Sequence, residues 1–377
     1  MIYNDFQGEK ISALGLGCMR LPVIDGDDSR PDPDKTAEMV DYALEHGINY
    51  FDTAWGYHGG NSELAIAAAL KDHPRESFKL ADKFPGYDLA NMGKVKEIFE
   101  KQLEKCGVEY FDFYLFHTVA EYNIDAYLDP RYGVFDYLTE QKKNGRIKHL
   151  GFSAHGAMPV LKRFIEAYGE YMEFGQLQVN WLDWRLQGAR EKVGYYTEHG
   201  IPVWVMEPVR GGRLAKVDEE YAETIRRLRP EATDAEWAFR FLQSIPEVKL
   251  TLSGMSDLDQ LKENIAIYEE AKPLSDEELS ALDSIVSDMI RKSNTLPCTA
   301  CRYCTAYCPQ GLPIPDIIDL YNRHRSQKDG ATVPTFSERF EEDKRPTACI
   351  ACRSCEEVCP QQIKISEAMS DFVKMSG

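Results

Sequence analysis

Over most of its length the sequence is almost without cysteine: only Cys18 and Cys106 of its ten precede residue 298. A secreted disulfide scaffold is short, cysteine-dense and preceded by an export signal. Here the first thirty residues contain no charged start followed by an apolar run, so a cytoplasmic protein is expected. No segment approaches the roughly 20 apolar residues of a membrane helix, and no membrane partner is expected. Positive charge is also scarce. Acidic residues outnumber basic ones 62 to 44, for a formal net charge of −18. Nucleic acids and anionic membranes select basic surfaces, so neither is expected as a partner. Finally, no G-x-G-x-x-G follows the first strand-like segment. That weakens an open dinucleotide-binding sheet.

What is present is 377 residues, 43% of them hydrophobic, enough for one large domain or two to three ordinary ones. Strand-like runs alternate with helical patterns from residue 11 to about residue 270. The strand candidates are Ile11–Cys18, Tyr50–Thr53, Phe78–Lys83, Phe111–His117, Ile147–Ser153, Gln176–Trp181, Pro202–Glu207 and Lys249–Gly254. Several are continuously apolar, as parallel strands covered on both faces are. In Met92–Gly107, apolar residues recur at three- and four-residue steps, with Gly107 as a stop. The segment Leu258–Ala271 is also helical. Eight strand–helix units predict an α/β fold, a (β/α)₈ TIM barrel. The segment Thr118–Phe135 is a long connection at a strand C-terminus, where barrel enzymes build their sites. Ser275 and Glu278 form a capping box for a helix running to about Arg291. The domains are therefore placed at 1–290 for the barrel and 291–377 for a second, cysteine-rich domain.

The second domain is defined by cysteine spacing. Cys298-x-x-Cys301-x-x-Cys304-x-x-x-Cys308-Pro309 is followed by Cys349-x-x-Cys352-x-x-Cys355-x-x-x-Cys359-Pro360. Each is the C-x₂-C-x₂-C-x₃-C-P run that holds [4Fe–4S] clusters in bacterial ferredoxins. Zinc would need four ligands per site and has no use for the third step or the prolines. Three close cysteines wrap three corners of a cubane, and the fourth lies too far along to complete it. Cys298, Cys301, Cys304 and Cys359 are thus expected on one cluster, and Cys349, Cys352, Cys355 and Cys308 on a second. With Pro315–Arg325 reading as helical, this part resembles a small, mostly helical ferredoxin module.

Four polar residues fall at or just past the ends of the second, third and fourth predicted strands: Asp52, Tyr57, Lys83 and His117. Strand ends on one barrel face converge, so the four can share a pocket. The set resembles the Asp/Tyr/Lys/His tetrad of the aldo-keto reductases. Supporting pieces are Gly15-Leu-Gly-Cys-Met-Arg-Leu-Pro22, Asn61-Ser-Glu63, Gly151-Phe-Ser153, Gln178-Val-Asn180, and Gly254 with Glu263-Asn264. Together with the cysteines and Met206-Glu207-Pro208, Gly211-Gly212, the chain is similar to the subgroup with a C-terminal 4Fe–4S domain.

The resemblance implies hydride transfer between NADP or NAD and a small-molecule carbonyl or alcohol. A carbonyl that accepts hydride also needs a proton, and a tyrosine of pKa about 10 is a reluctant donor. Lys83 would stabilise the phenolate, Asp52 would hold Lys83, and His117 would orient the substrate oxygen. Tyr57 would then be the general acid/base. By resemblance, Ser153 and Gln178 hold the nicotinamide amide; Ala154 stands where many relatives have Asn, so that either His155 substitutes or one contact is missing. Met206 stands where an aromatic residue often stacks on the ring, and Gly211 lies in the loop beyond. Ser256, Gln260, Glu263 and Asn264 match adenosine-side contacts. Gly254 and Gln260 stand where many NADPH-specific members carry the Lys and Arg that grip the 2′-phosphate, so both nucleotides stay open, with the leaning to NADP(H). His58 lines the pocket or faces solvent, and Cys18 and Cys106 read as buried thiols. Because hydride chemistry needs no iron, other readings stay open. One is an electron-transfer or flavin-assisted reductase with an external electron-transfer partner. Another is a redox-sensing nucleotide-binding regulator.

Overall fold

The computed structural model describes residues 1–292, 295–325 and 335–375. The chain divides into two compact units, Met1–Ser284 and Ile285–Gly377. The helix Asp276–Lys292 runs across that division. Its start has the anticipated capping box: Ser275 N donates to Glu278 Oε2 at 2.7 Å, and Glu278 N donates to Ser275 Oγ at 3.3 Å.

The first unit opens with an antiparallel hairpin, β1 (Tyr3–Phe6) and β2 (Glu9–Ser12). Its two-residue turn places Gln7 at φ 50 and Gly8 at φ 87, the double positive φ that tight hairpins require. Eight parallel strands come next: β3 (Leu14–Gly17), β4 (Tyr50–Asp52), β5 (Lys79–Phe84), β6 (Phe111–Val119), β7 (Ile147–Ala154), β8 (Phe174–Gln178), β9 (Val203–Met206) and β10 (Val248–Ser253). They close into a barrel in sequence order, β10 pairing with both β9 and β3. The hairpin was not anticipated. The apolar run from Ile11 to Cys18 reads as one strand, but the chain breaks at Ala13. There Ala13 N donates to Ile2 O, while Ala13 O accepts from Thr251 N.

The hairpin has a purpose in the barrel. Phe6 contacts the rings of Phe113, His149, Phe174 and Trp204, with centroids 4.9–6.5 Å away. It belongs to a buried cluster with Tyr50, Leu115, Leu250 and Leu252. Packing of this kind fills the interior and leaves the C-terminal strand ends for chemistry. Asp52, Gln178 and Met206 are the last residues of β4, β8 and β9. Lys83, His117 and Ser153 lie near the ends of β5, β6 and β7.

The connection after His117 is more ordered than its sequence suggests. β6 continues to Val119, a helix spans Ile124–Leu128, and a 3₁₀ turn covers Pro130–Tyr132. Buried Asn123 substitutes for a regular hydrogen-bond period. Its Oδ1 accepts from Ala120 N, and its Nδ2 donates to Thr118 O and Gly86 O.

In the second unit each cysteine run leads through a short helix to a longer one. Tyr303–Ala306 precedes Ile314–Arg325, and Ser354–Glu357 precedes Ile365–Met375. Ile317, Ile318 and Tyr321 of the first long helix share a core with Ile365, Met369 and Phe372 of the other.

The barrel wall is tight enough to test. A Cβ on Gly151 of β7 would lie 2.6 Å from the Phe174 carbonyl oxygen in neighbouring β8. Backbone cannot swing aside as a side chain can. Gly151→Ala should therefore lower stability by about 1–3 kcal/mol. Urea unfolding followed by circular dichroism reads this directly, and an unchanged midpoint would contradict the packing.

Candidate active site and cluster sites

At the centre of the barrel mouth is a buried ion pair. Lys83 Nζ donates to Asp52 Oδ1 at 2.5 Å and to Thr53 O at 2.6 Å. The other Asp52 oxygen accepts from Gln176 Nε2 at 3.3 Å. Burial pushes the Asp52 carboxyl up, while Lys83 and Gln176 pull it back. The Lys83 ammonium lies 4.9 Å from the centroid of the Tyr57 ring. The ring of Tyr57 in turn meets His117 edge-on, with centroids 6.0 Å apart. All four tetrad residues are thus in one place.

Their backbones are held from behind. Gln102 Nε2 donates to Lys83 O at 3.0 Å and to Glu63 Oε1 at 3.1 Å, and Tyr114 Oη donates to Gln102 Oε1 at 2.6 Å. Lys105 bonds both the Glu63 carboxylate and Gly60 O, fixing the turn Tyr57–Gly60. Burial, together with the adjacent Glu63 carboxylate, holds the Asp82 carboxyl well above the usual range. Glu63 of the Asn61-Ser-Glu63 piece is therefore a buttress of the tetrad.

His117 is fixed by its loops. Tyr127 Oη donates to His117 O at 2.7 Å, and the Tyr87 ring packs edge-on against the imidazole at 5.2 Å. Gly56 makes room for Tyr87, since a Cβ there would lie 2.3 Å from Tyr87 Oη. Burial, then the charge of Lys83, depresses the His117 pKa well below that of a free imidazole. His58 is buried rather than solvent-facing. Its Nε2 accepts from Leu21 N at 3.1 Å and its Nδ1 donates to Asp28 O at 2.7 Å, so it clips the loop after β3. Cys18 and Cys106 are both buried thiols.

The remaining candidates are spread along the strand ends. Ser153 Oγ accepts from Thr118 N at 2.7 Å. Gln178 Nε2 donates to buried Asp183 at 2.7 Å. Asn180 Nδ2 and Arg210 Nε reach the same carboxylate, at 2.8 Å and at 2.9–3.1 Å. Met206 is half-buried, and Glu207, Arg210 and Gly211 beyond it adopt positive φ. Past β10, Ser256 N donates to Gln260 Oε1, Glu263 Oε1 accepts from Thr233, and buried Asn264 donates to Ser253 Oγ. Gly254 lies against the Arg20 side chain, which comes within 3.2 Å of where a Cβ would be.

In the second unit, two cavities are each ringed by four cysteines. Cys298, Cys301, Cys304 and Cys359 line one, together with Ile318 and Ile363. Cys308, Cys349, Cys352 and Cys355 line the other, together with Leu312 and Met369. The thiols surround a space rather than a point. Among the described residues, no group of three or more His, Cys, Asp or Glu side chains could hold a single metal ion. Ala300 and Arg302 have positive φ, and so do Ala351 and Arg353 at the matching positions. Backbone N–H groups reach sulfur: Ala300 N donates to Cys298 Sγ at 3.4 Å, and Leu312 N, after Gly311 at φ 56, donates to Cys308 Sγ at 3.5 Å. Burial pushes the thiols of Cys304, Cys355 and Cys359 up, that of Cys355 to about 12. Such thiols lose their protons to a strongly cationic partner such as iron. The residues fit iron–sulfur clusters.

Residues 13–287 match the model of the aldo/keto reductase family. The chain belongs to that family. Residues 297–363 match a 4Fe-4S dicluster domain. The chain is 26% identical over 315 residues to an uncharacterized oxidoreductase, YqkF, of Bacillus subtilis, covering 75% of this chain and 95% of that one. It is 30% identical over 214 residues to a probable aldo-keto reductase 1 of Glycine max, covering 55% and 58%. Among solved structures it is similar to the holo form of aldo-keto reductase AKR11C1 from Bacillus halodurans. That match has 27% identity and a TM-score of 0.62, and covers 76% of this chain and 96% of that one. An aldo-keto reductase from Klebsiella pneumoniae in complex with NADPH, 19% identical with a TM-score of 0.60, shares the fold over 76% and 96% of the two chains.

This aldo-keto reductase is an oxidoreductase, and its mouth contains residues that sequence reading passed over. Gln176 carries the second bond to Asp52, yet a glutamine inside an apolar strand gives no periodic signal. Asp183 gathers Gln178, Asn180 and Arg210 from beyond two different strands. Its only sequence trace is its nearness to Gln178-Val-Asn180. Lys192 is buried near the same carboxylate. No helix among the described residues is long and apolar enough to cross a membrane.

The position of His117 yields a direct expectation. Its imidazole should titrate well below the free value of about 6.5, because burial and the Lys83 charge disfavour its cation. The neutral folded form binds fewer protons than the unfolded chain, so this residue subtracts stability as pH falls through 6.5. Imidazole NMR on selectively labelled protein measures the midpoint. A value at or above 6.5 would contradict the burial.

Proposed function

We propose that this enzyme reduces a carbonyl, or oxidises the corresponding alcohol, with Tyr57 as the general acid/base. The observation that carries the reading is the Asp52–Lys83 pair lying against the Tyr57 ring beside a neutral His117. A dihydronicotinamide, when bound, supplies the hydride, and its oxidised form accepts one in the opposite direction. Ser153 and Gln178 would hold its amide, with Met206 and Gly211 near the ring and phosphates. Ser256, Gln260, Glu263 and Asn264 would serve the adenosine end. The leaning is to NADP(H). Arg20, packed on Gly254, offers a cation where the family's usual lysine is missing.

The chain's own groups account for the proton. Tyr57 gives its hydroxyl proton to the substrate oxygen as negative charge develops there. The phenolate left behind is stabilised by the Lys83 ammonium, which Asp52 and Thr53 O hold in place. A neutral imidazole at His117 donates a hydrogen bond to the same oxygen and orients it. In alcohol oxidation each of these steps reverses. Tyr57→Phe should lower kcat about 10²- to 10⁴-fold while nucleotide affinity, read by fluorescence titration, stays within about threefold. Full carbonyl-reductase activity in Tyr57→Phe would sink the mechanism.

The second unit would hold two [4Fe–4S] clusters, with the fourth ligand exchanged between the runs. The clusters, when bound, pass single electrons, which a hydride transfer does not use. A structural role is favoured slightly over electron transfer to an external partner. Anaerobically purified protein should carry about eight irons per chain. Cys359→Ser should perturb the cluster of Cys298, Cys301 and Cys304, and Cys308→Ser the other. Mössbauer and EPR spectra of the two variants should therefore differ. Identical spectra would refute the exchange.

A further inference from the structure

We propose that the cavity ringed by Cys308, Cys349, Cys352 and Cys355 is where the second unit exchanges single electrons, through a surface at Ile350–Arg353 that receives a one-electron carrier protein presenting carboxylates. This deepens the cluster reading above and rests on it. The two cysteine runs have the same spacing, so each residue of one has a counterpart in the other. The counterparts differ in exposure. Thr299, after the first cysteine of the earlier run, is 2% exposed, whereas Ile350 in the later run is 60% exposed. Ala300, Cys301 and Arg302 are half-buried, whereas Ala351, Cys352 and Arg353 are exposed. The cysteine motif is shared, so the opening comes from the residues around it.

The open lip is apolar at its tip. A single exposed hydrophobic residue is ordinary. Ile350, however, is more exposed than any other large hydrophobic residue among those described, and it lines a four-thiol cavity. Charge separates the two lips as well. Arg302 lines the earlier cavity, and its guanidinium is 3.6 Å from the Asp316 carboxylate. Arg353 is the one charged residue among those described that line the later cavity, and it pairs with no carboxylate of the described residues. Glu356, on the same short helical turn, is occupied: its Oε1 accepts from both Ser366 N and Ser366 Oγ. Glu357 is exposed but does not line the cavity. Residues 285–377 contain 12 acidic and 12 basic residues, so the acidic excess of the chain lies in the first unit. An unpaired cation beside an apolar contact point suits a partner face with acidic groups around an apolar centre.

Electron exchange requires such access. Tunnelling weakens steeply with distance, so a carrier protein must reach the edge of a redox centre. The more covered cavity of Cys298, Cys301, Cys304 and Cys359 suits the structural role, and the open one admits a carrier. Ile365 lines both, so the two sites are neighbours. At each encounter the carrier is oxidised as the cluster is reduced, or the reverse. One electron moves, no bond is broken and no proton is transferred.

The test is stopped-flow mixing of anaerobic holoprotein, assayed for iron, with a plant-type [2Fe–2S] ferredoxin, an acidic one-electron carrier. Both directions are run, reduced ferredoxin with oxidised holoprotein and the reverse, and the cluster absorption is followed. In the direction that proceeds, Arg353→Glu should lower the second-order rate constant about tenfold and Ile350→Gln about threefold. Reduction by photogenerated deazaflavin radical, which needs no docked protein, should be unchanged in both variants. Unmoved ferredoxin rates in iron-loaded variants overturn the port and leave the cluster reading standing, as does the absence of exchange in either direction. Equal losses with ferredoxin and with deazaflavin mean altered clusters rather than lost docking, and also overturn the port. Protein that carries no iron takes down the cluster reading and the port together.

Discussion

The barrel is organised around one buried contact, the Lys83 ammonium against the Asp52 carboxyl. Two charged groups can be taken out of water only where geometry and further hydrogen bonds compensate them. The structure supplies both. Thr53 O and Gln176 take the remaining bonds of the pair. Gln102, Tyr114 and Glu63 lock the strand that carries Lys83. Lys105 extends that scaffold to the turn that starts at Tyr57. The tetrad is therefore the visible face of a buried polar network, and the network is what sets the direction of each side chain.

The same logic separates the two ends of the barrel. Aromatic packing around Phe6 fills one end with groups that carry no charge. The other end concentrates titratable groups at strand termini, where loops can reach water or a ligand. Burial there depresses imidazoles and raises carboxyls, so His117 and His155 act as neutral polar groups rather than as cations. Positive charge at the mouth is left to lysine and arginine.

Much of this could be read from residues alone, for physical reasons. Parallel strands are apolar on both faces, so all eight stood out as runs. Gly107 ends its helix at φ 64, as its position suggested. Cysteine spacing is a covalent ruler and needs no tertiary context, and the grouping of the eight thiols around two cavities agrees with it. What stayed hidden depends on long-range meeting. The hairpin Tyr3–Ser12 merges with β3 in pattern because its outward residues have no core to alternate against. Order after His117 comes from one asparagine whose three bonds reach Gly86, Thr118 and Ala120. Asp183 carries no motif, since its partners Gln178, Asn180 and Arg210 meet it only in the fold.

That each cavity draws cysteines from both runs has a consequence for how the protein is made. The cavity of Cys298, Cys301 and Cys304 closes only with Cys359, whereas the cavity of Cys349, Cys352 and Cys355 draws on the earlier Cys308. Synthesis runs from the N-terminus, so the first three thiols of that cavity leave the ribosome long before the fourth. Neither four-thiol cavity is complete until the second cysteine run has been translated. A cluster in either cavity would therefore be built only after both cysteine runs have been made, and a chain cut short between them retains no complete four-thiol site.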